Sequence, residues 1–383
     1  MTHLIFLLIE FIDELVFGLQ DAAWPLIRVD LHLNYIQIGI LLSLPGLLAN
    51  FIEPFLFILA DVWKRRVIVL LGGIFFTASL IFIALSHSFY FLLFAVILFN
   101  PSSGGFVSVA QAALMDTDKS RHEQNMVRWE FAGMLGIFLG PLLLGGLIGF
   151  GFGWRLGFIV LASISTLILI AAFRFLPNTK SSSAEFPSAN IFLENLRFAF
   201  SSLKNKSVLR WLVLLEFSDL MLDVLYSYLA LYFVDVTGAK PETAAFAVAV
   251  WTGVGLLGDL LLIPLVERIK GLDYLRVSVV LELILFPLFL LAPQFWLKLI
   301  FLGLLGLFNS GWYAILKANL FSTLPGKSGT VQALDNVSGM FGKLIPFGIG
   351  LAAQSVGLGP AMWLLLAGPI ALLIGLPRKY IRE

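Results

Sequence analysis

Stretches of about 20 apolar residues follow one another along almost the whole chain, and each could cross the roughly 30 Å hydrocarbon core of a bilayer as a helix. Short polar segments separate them. The pattern predicts an all-α polytopic membrane protein with twelve transmembrane helices, here called spans 1 to 12. The predicted spans are residues 4–27, 35–60, 67–85, 89–115, 127–150, 156–176, 208–234, 243–266, 275–291, 297–321, 331–356 and 361–376.

The longest polar segment divides these spans six and six. We predict an N-terminal six-helix bundle at residues 1–176, a linker at 177–207 and a C-terminal six-helix bundle at 208–383. Within the linker, the residues after Ser188 place their apolar side chains on one face of a helix, which indicates a surface helix acting as a passive tether or a regulatory element. Because the other loops are short, consecutive spans are expected to be antiparallel neighbours.

Composition excludes several classes of function. The chain is 59% hydrophobic and 13% charged, against about 25% charged residues in soluble globular proteins. Its net charge of +1 argues against nucleic-acid binding, and the absence of Cys excludes disulfides and thiolate metal sites. No phosphate-binding loop and no spacing of metal ligands is found. We therefore expect no cofactor, no metal and no enzymatic activity.

The basic residues predict the orientation in the membrane. Most of the 25 Lys and Arg residues fall in the linker, near the C-terminus and in the loops that share their side of the bilayer. Basic loops stay on the cytoplasmic side. We predict a multi-pass protein of the cytoplasmic (inner) membrane with both termini in the cytoplasm.

The two halves of the sequence repeat with an offset of 206 residues, the difference between Glu10 and Glu216. The same offset pairs Asp13 with Asp219, and it pairs Glu53 with Asp259. Acids are rare inside membranes, so their recurrence at one offset is informative. A parallel repeat of six helices is the design of the major facilitator transporters, whose substrate site lies between the halves near the bilayer midplane.

Two motifs resemble that superfamily. Residues 57–66, FILADVWKRR, are similar to its loop motif between spans 2 and 3, in which Asp61, Arg65 and Arg66 match while Phe57, Val62 and Lys64 depart from it. The resemblance implies that the basic residues latch onto an acid at the end of span 11, a position that Asp335 occupies. The departures leave the geometry of this latch open.

Span 5 reads GMLGIFLGPLLLGG and resembles the antiporter motif of the same superfamily, with one additional residue before the closing glycines. The matching positions are Gly136, Gly140, Pro141, Gly145 and Gly146. The resemblance implies exchange of two solutes, while small residues at this spacing also serve plain helix packing. Near the N-terminus, Glu14, Gly18 and Pro25, followed by LHLNYIQIGILL, resemble the fosmidomycin-resistance branch of drug efflux transporters.

The acids inside the spans are the candidate proton carriers. A rise of about 1.5 Å per residue places Asp13 and Asp219 near the midplane and Glu10 and Glu216 nearer the cytoplasm. The proton-coupling candidates are Asp13, Asp219, Glu10, Glu216 and Asp223. The shallower acids, Glu10 and Glu216 among them, have a structural alternative, in which they and neighbouring charges pair to clamp helix ends. The other members of these networks are Glu53, Arg128, Glu130, Asp259 and Lys317.

Several other side chains are candidates for the substrate cavity. They are Phe17, Gln20, Asn309, Trp312 and Lys343. For the aromatic members, packing against neighbouring helices is the default interpretation. Lys343 is a possible counter-charge for Asp219 or Asp223, or a contact for an anionic substrate.

These features predict a secondary active transporter that works by alternating access. Proton-coupled efflux of a lipophilic or cationic compound is the first expectation, and symport of a sugar, organic anion or lysolipid with protons or sodium is the alternative. A receptor or enzyme on the same scaffold is the alternative from another class. The expected partners are a small-molecule substrate, protons or sodium and the lipid bilayer, with no nucleic acid, and the chain is expected to be a monomer.

Overall fold

The computed structural model describes residues 2–62, 65–117, 122–176, 204–323, 334 and 338–377. These residues form helices joined by short turns, and no strand occurs among them. The prediction of a surface helix in the linker, at residues 188–203, lies outside the described residues. The predicted all-α, twelve-span architecture is confirmed.

The N-terminal half begins with a long helix and proceeds through six spans. Spans 1 to 3 are Thr2–Asp30, Tyr35–Val62 and Arg65–Ala84. Span 4 runs from Phe89–Ser103 through a π-helical turn at Gly104–Ser108 into Val109–Thr117. Spans 5 and 6 are His122–Gly149 and Trp154–Phe175.

The C-terminal half contains more interruptions. Span 7 comprises Lys206–Ser218, a π turn at Leu220–Val224, Leu225–Leu231 and a second π turn at Tyr232–Val236. Spans 8 and 9 are Pro241–Val266 and Gly271–Leu291, and span 10 is broken between Phe295–Phe308 and Trp312–Thr323. Span 11 includes Ile345–Val356, and span 12 comprises Leu358–Met362, Trp363–Leu366 and Ala367–Gly375.

Nine helical stretches in the described part of the chain are long and apolar enough to cross a membrane. They correspond to spans 2 to 6, 8 to 10 and 12. Spans 1, 7 and 11 are helical as well, and spans 1 and 7 carry most of the candidate acids. The charged helices are thus part of the same bundle as the apolar ones.

Glycines let span 5 pack directly on the backbone of span 1. A Cβ added to Gly136 would lie 2.5 Å from the carbonyl oxygen of Phe11, and one added to Gly140 would lie 2.5 Å from the amide nitrogen of Leu19. Since real side chains do not approach backbone this closely, both positions require glycine. This close approach fixes the face of span 1 that carries Glu10 and Glu14.

The two halves meet along spans 1 and 7, spans 2 and 11, and spans 5 and 8. Between spans 2 and 11, a Cβ on Gly39 would lie 2.9 Å from the Cα of Phe347, so these two backbones nearly touch. Between spans 5 and 8, a Cβ on Gly145 would lie 3.6 Å from the carbonyl oxygen of Glu242, whereas one on Gly146 would meet nothing within 4 Å. Span 1 therefore faces both its own bundle and the opposite half.

Candidate functional site: an acidic centre between the bundles

Asp13 lies in the middle of span 1 and is only 6% exposed. Both of its carboxylate oxygens accept a hydrogen bond from the Ser103 hydroxyl, at 2.8 and 3.0 Å. Ser103 is the last residue before the π turn of span 4, and such single π turns are frequent at functional sites. The described residues offer Asp13 no salt-bridge cation, so a hydroxyl is its only polar partner among them.

The second half has a related but different arrangement. Asn309 occupies the position equivalent to Ser103, since 103 plus 206 is 309, and its amide donates to the carbonyl oxygen of Met221 at 3.1 Å. Asp219, the counterpart of Asp13, is half-buried and immediately precedes the π turn of span 7. Each acid of the predicted pair therefore lies beside a π turn, Asp13 through its bond to Ser103 of span 4 and Asp219 within span 7 itself.

Two further acids point at the breaks in spans 4 and 10. A Cβ on Gly104 would lie 2.6 Å from Oε1 of Glu53, so this carboxylate packs against the π turn. Asp259 accepts a hydrogen bond of 3.1 Å from the backbone amide of Gly311, whose φ is +70°. The repeat pairs Glu53 with Asp259, and both were predicted to belong to structural charge networks. Each contacts irregular backbone of a neighbouring span in its own half, Glu53 in span 4 and Asp259 in span 10.

Glu10 and Glu216 pack against glycines in their own bundles. Oε1 of Glu10 would lie 2.7 Å from a Cβ on Gly133 in span 5. Glu216 contacts Gly342 in span 11 and accepts a hydrogen bond of 2.7 Å from the Ser338 hydroxyl. Both acids therefore pack against glycines within their own bundles, and the pairing with neighbouring charges that the structural alternative proposes stays a prediction.

A second acidic group faces the opposite bundle. The carboxylates of Glu14 and Asp21 in span 1 lie within electrostatic range of Asp223 in span 7. Asp21 is 9% exposed and accepts a hydrogen bond of 3.0 Å from Nε1 of Trp24, while Asp223 is exposed. Since Asp21 follows Glu14 by seven residues, the two side chains share one face of the helix.

Lys343 reaches across from span 11 into the N-terminal half. Its Cδ would lie 3.3 Å from a Cβ on Gly46 of span 2, and its charge is within range of Asp21 and Glu53. The structure thus places this lysine beside acids of the first half, where the sequence had suggested Asp219 or Asp223 as counter-charges.

The remaining cavity candidates differ in environment. The Phe17 ring packs edge-on against Phe99 with centroids 5.2 Å apart, and Oε1 of Gln20 is buried without a hydrogen-bond partner among the described residues. Trp312 is fully buried and donates to the Ser278 hydroxyl at 2.8 Å. Phe17 and Trp312 therefore contribute to packing within their bundles.

At the end of the bundles away from Thr2, a polar cluster joins the halves. Arg28 and Asp235 form an ion pair of 2.7 Å, and the Tyr35 hydroxyl donates to the same carboxylate at 2.8 Å. The Arg28 guanidinium also lies over the Tyr35 ring, 5.0 Å from its centroid. The Tyr35 amide donates to Gln354 at 3.1 Å. This cluster, here called the Arg28–Asp235 gate, was not predicted.

The predicted conformational latch is only partly described. Arg65 donates to the carbonyl oxygen of Ala60 at 3.2 Å, and Arg66 donates to the carbonyl oxygen of Phe173 in span 6. Asp335 lies outside the described residues, and so does the side chain of Asp61. The latch therefore stays a prediction.

The residues predicted as structural networks near the helix entrances are mostly accessible. Arg128 and Glu130 are exposed at the start of span 5. The Lys317 ammonium donates to the Tyr313 hydroxyl at 2.5 Å and lies 4.8 Å from that ring centroid. Pro141 is buried beside Gly140 in span 5.

Two buried charged residues escaped the sequence analysis. Glu282 in span 9 is fully buried, and neither carboxylate oxygen has a hydrogen-bond partner among the described residues. Lys298 is 6% exposed and donates to the Tyr232 hydroxyl and the carbonyl oxygen of Phe289, each at 2.8 Å. The available signal for Glu282 was a charged residue inside an apolar run. The repeat did not draw attention to it, because the 206-residue offset pairs Glu282 with Phe76, which is not an acid.

Comparison with known proteins agrees with this geometry. The sequence matches the Major Facilitator Superfamily over residues 6–346. The chain belongs to this superfamily. Among curated proteins none matches it significantly.

Solved structures of transporters share the fold at low sequence identity. A bacterial homologue of the human lysosomal transporter Spinster, inward-facing and unoccupied, is 17% identical with a TM-score of 0.74, and the alignment covers 98% of this chain and 94% of that one. The nucleoside transporter NupG is 14% identical with a TM-score of 0.78, covering 99% and 100%. The peptide transporter POT in complex with sulfate is 14% identical with a TM-score of 0.73, covering 97% and 94%. These structures share the fold, and membership of the superfamily makes the chain a secondary transporter of the membrane.

Proposed function

We propose that this transporter exports a lipophilic or cationic small molecule in exchange for protons across the cytoplasmic membrane. The observation that carries the proposal is Asp13, a buried carboxylate at mid-depth of span 1 whose polar partner is the uncharged Ser103. An ionised carboxylate without a cation is unfavourable in such a place, so a bound proton stabilises it. Opening of the site to water on one side would allow the proton to leave.

The inter-bundle contacts supply the means of alternating access. The Arg28–Asp235 gate joins span 1 to span 7, and the amide of Phe347 donates to the Ser43 hydroxyl at 2.9 Å between spans 11 and 2. Access from that end requires these bonds to break as the bundles rock. With the predicted orientation, this is the outer end, and the gate closes the site to the exterior.

The charge of the central residues favours a cation as the exported solute. The carboxylates of Glu14, Asp21 and Asp223 lie within electrostatic range of one another. Among the described cations, Lys343 interacts electrostatically with Asp21. With three carboxylates within range of one another, this region carries negative charge, which attracts cations and repels anions.

One observation favours the alternative, symport of an anionic solute. The Lys343 side chain crosses from span 11 to Gly46 of span 2 and lies at the junction of the halves. A carboxylate or phosphate of a substrate could pair with it there. Lys343→Gln separates the two functions, because it would abolish anion transport and leave cation export in place.

Reconstituted vesicles with an imposed pH gradient test the proposal. Proton movement, followed with an entrapped pH-sensitive dye, should start when lipophilic amines are added to vesicles that contain the protein. Asp13→Asn should abolish this coupled movement while leaving the protein folded. Asp273→Asn is the matched control, since Asp273 is exposed and pairs locally with Arg276 at 2.5 Å.

The proposal fails if Asp13→Asn retains uphill transport, or if no panel of cationic, neutral and anionic solutes moves protons. In the second case, a receptor or other non-transporting role on this scaffold would replace exchange.

A further inference from the structure

An aromatic pair lies next to the acids that face the opposite bundle. The rings of Tyr226 in span 7 and Trp251 in span 8 stack with centroids 5.5 Å apart and planes 24° from parallel. The Tyr226 hydroxyl is within electrostatic range of Glu14, Asp21 and Asp223. Side chains from spans 1, 7 and 8 therefore meet at one place between the halves.

Both rings hold a polar group that the described protein does not satisfy. Tyr226 is 7% exposed and Trp251 is 8% exposed, and neither the hydroxyl nor Nε1 has a hydrogen-bond partner among the described residues. Buried donors without an acceptor are rare in native structures, and each one calls for an explanation. Carboxylates lie within electrostatic range, yet none accepts a hydrogen bond from either ring. A ligand between these groups would satisfy both sides.

We propose that Glu14, Asp21, Asp223, Tyr226 and Trp251 form the substrate site, and that its ligand is a protonated amine which also carries a hydrogen-bond acceptor. This inference rests on the proposed transport function and names the substrate class of the same acidic centre. The ammonium group donates its N–H groups to carboxylates of this set, and all three acids, Glu14, Asp21 and Asp223, stabilise its positive charge. An oxygen of the ligand accepts from the Tyr226 hydroxyl and from Nε1 of Trp251.

The chemistry of these residues separates this ligand class from its neighbours. An anion would meet a surplus of carboxylates, and a neutral molecule would leave their charge uncompensated. A quaternary ammonium carries the right charge, but it has no N–H to donate to a carboxylate. An amine without an oxygen acceptor would leave the N–H of Trp251 unpaired, which is the costly outcome for a buried donor.

The site is distinct from the proton carrier of the proposed exchange. Both oxygens of Asp13 are taken by the Ser103 hydroxyl on the side of span 4. Glu14, the next residue, lies about 100° around the helix from Asp13; its Cγ packs 3.3 Å from a Cβ built on Gly133 of span 5, and its charge is within range of Asp223 of span 7. Proton and amine can therefore bind to different faces of span 1, and both faces move when the bundles rock.

Binding to the purified full-length protein in detergent tests the site. The probe is propranolol, which joins a protonated secondary amine to a hydroxyl and an aromatic body, used with its N-quaternised and its deoxy analogues. Titration calorimetry should show both analogues binding at least about tenfold more weakly, the effect expected for losing a charge-assisted hydrogen bond or stranding a buried donor.

Matched variants locate the binding. Asp223→Asn should weaken propranolol about tenfold or more, because it removes one charge of the ammonium site. Tyr226→Phe should weaken propranolol and leave the affinity of the deoxy analogue nearly unchanged. Asp273→Asn, far from the site and exposed, should bind like the wild type. Gel-filtration profiles and thermal midpoints of the variants establish that they are folded.

Equal affinities for propranolol and its two analogues, or unchanged affinity in both site variants, would overturn the assignment. The same holds if no propranolol binds to the wild type at concentrations well above those at which lipophilic amines partition into the detergent. Amine binding without proton movement in vesicles would refute the proposed proton exchange, while the assignment of the amine site would still stand. Coupled transport of a substrate that both variants handle normally would refute the site alone.

Discussion

Breaking the Arg28–Asp235 gate should shift the protein toward the state that is open at that end. The pair has a length of 2.7 Å, and the side chains of Arg28 and Asp235 are 24% and 10% exposed, so solvent screens it only in part. Asp235→Asn removes the charge of the pair and weakens the bond from the Tyr35 hydroxyl. The closed state should then lose about 2 kcal/mol, which is roughly a thirtyfold shift in the conformational equilibrium.

The absence of cysteine from the chain makes this shift measurable by site-directed labelling. Val29 and Val236 flank the gate on opposite halves, and both are exposed, at 61% and 43%. Spin labels on cysteines introduced at these two positions report the distance between the halves. If the open state contributes a few per cent of the distance distribution of the wild type, it should contribute about half of the distribution of Asp235→Asn. The reason is that its population relative to the closed state rises by the same thirtyfold factor.

The pair between Asp30 and Arg155 provides the control. It lies at the same end of the molecule but joins spans 1 and 6 within one half. Asp30→Asn should therefore leave the distance distribution as it is. If Asp235→Asn and Asp30→Asn give the same distribution as the wild type, the gate does not hold the bundles together and the reasoning is refuted.

Two further predictions concern the packing. Gly140→Ala should destabilise the protein by about 1–3 kcal/mol, because the new Cβ would meet backbone atoms of span 1. Gly146→Ala is the control: its Cβ would meet nothing within 4 Å, so the thermal midpoint should stay nearly unchanged. Equal midpoints for the two variants would contradict the close packing of spans 1 and 5 at Gly140. Glu282→Met should raise the midpoint, since it replaces a buried carboxyl that has no hydrogen-bond partner among the described residues by an apolar side chain of similar size. Equal midpoints for Glu282→Met and the wild type would argue that a partner already stabilises this carboxyl.

The fold could be predicted from the sequence because hydrophobic length is a strong constraint in a bilayer. The twelve spans follow from runs of apolar residues, and the helix ends differ from the predictions by a few residues, as for span 1 at Thr2–Asp30 against residues 4–27. The breaks could not be predicted in the same way. The π turns at Gly104–Ser108 and Leu220–Val224 depend on what packs beside them, and hydropathy does not record that.

The sequence predicted which types of residue form the candidate site, but it did not predict which side chains of the two halves lie close together. Acids inside spans mark a central cavity because they are costly anywhere else, which is why Asp13 and Asp223 stood out. Which face each acid presents, and to which helix, depends on how the halves dock. Glu14 and Asp21 both lie on span 1, but the span 7 acid within electrostatic range of them, Asp223, is more than 200 residues away in the sequence. The Arg28–Asp235 gate was missed for the same reason.

The repeat explains why one half rather than the other holds the proposed proton carrier. Ser103 and Asn309 occupy equivalent positions beside the breaks in spans 4 and 10, and each bonds to the first span of its own half. Ser103 donates to a carboxylate, whereas Asn309 donates to the carbonyl oxygen of Met221 and thereby ties down the backbone beside Asp219. A hydroxyl can rotate away when a proton arrives, but an amide held on a backbone carbonyl fixes its helix. Under the proposed exchange, the same architecture gives an exchangeable acid at Asp13 and a helix fixed by Asn309, so the first half would carry the proton while the second positions the proposed substrate acid Asp223.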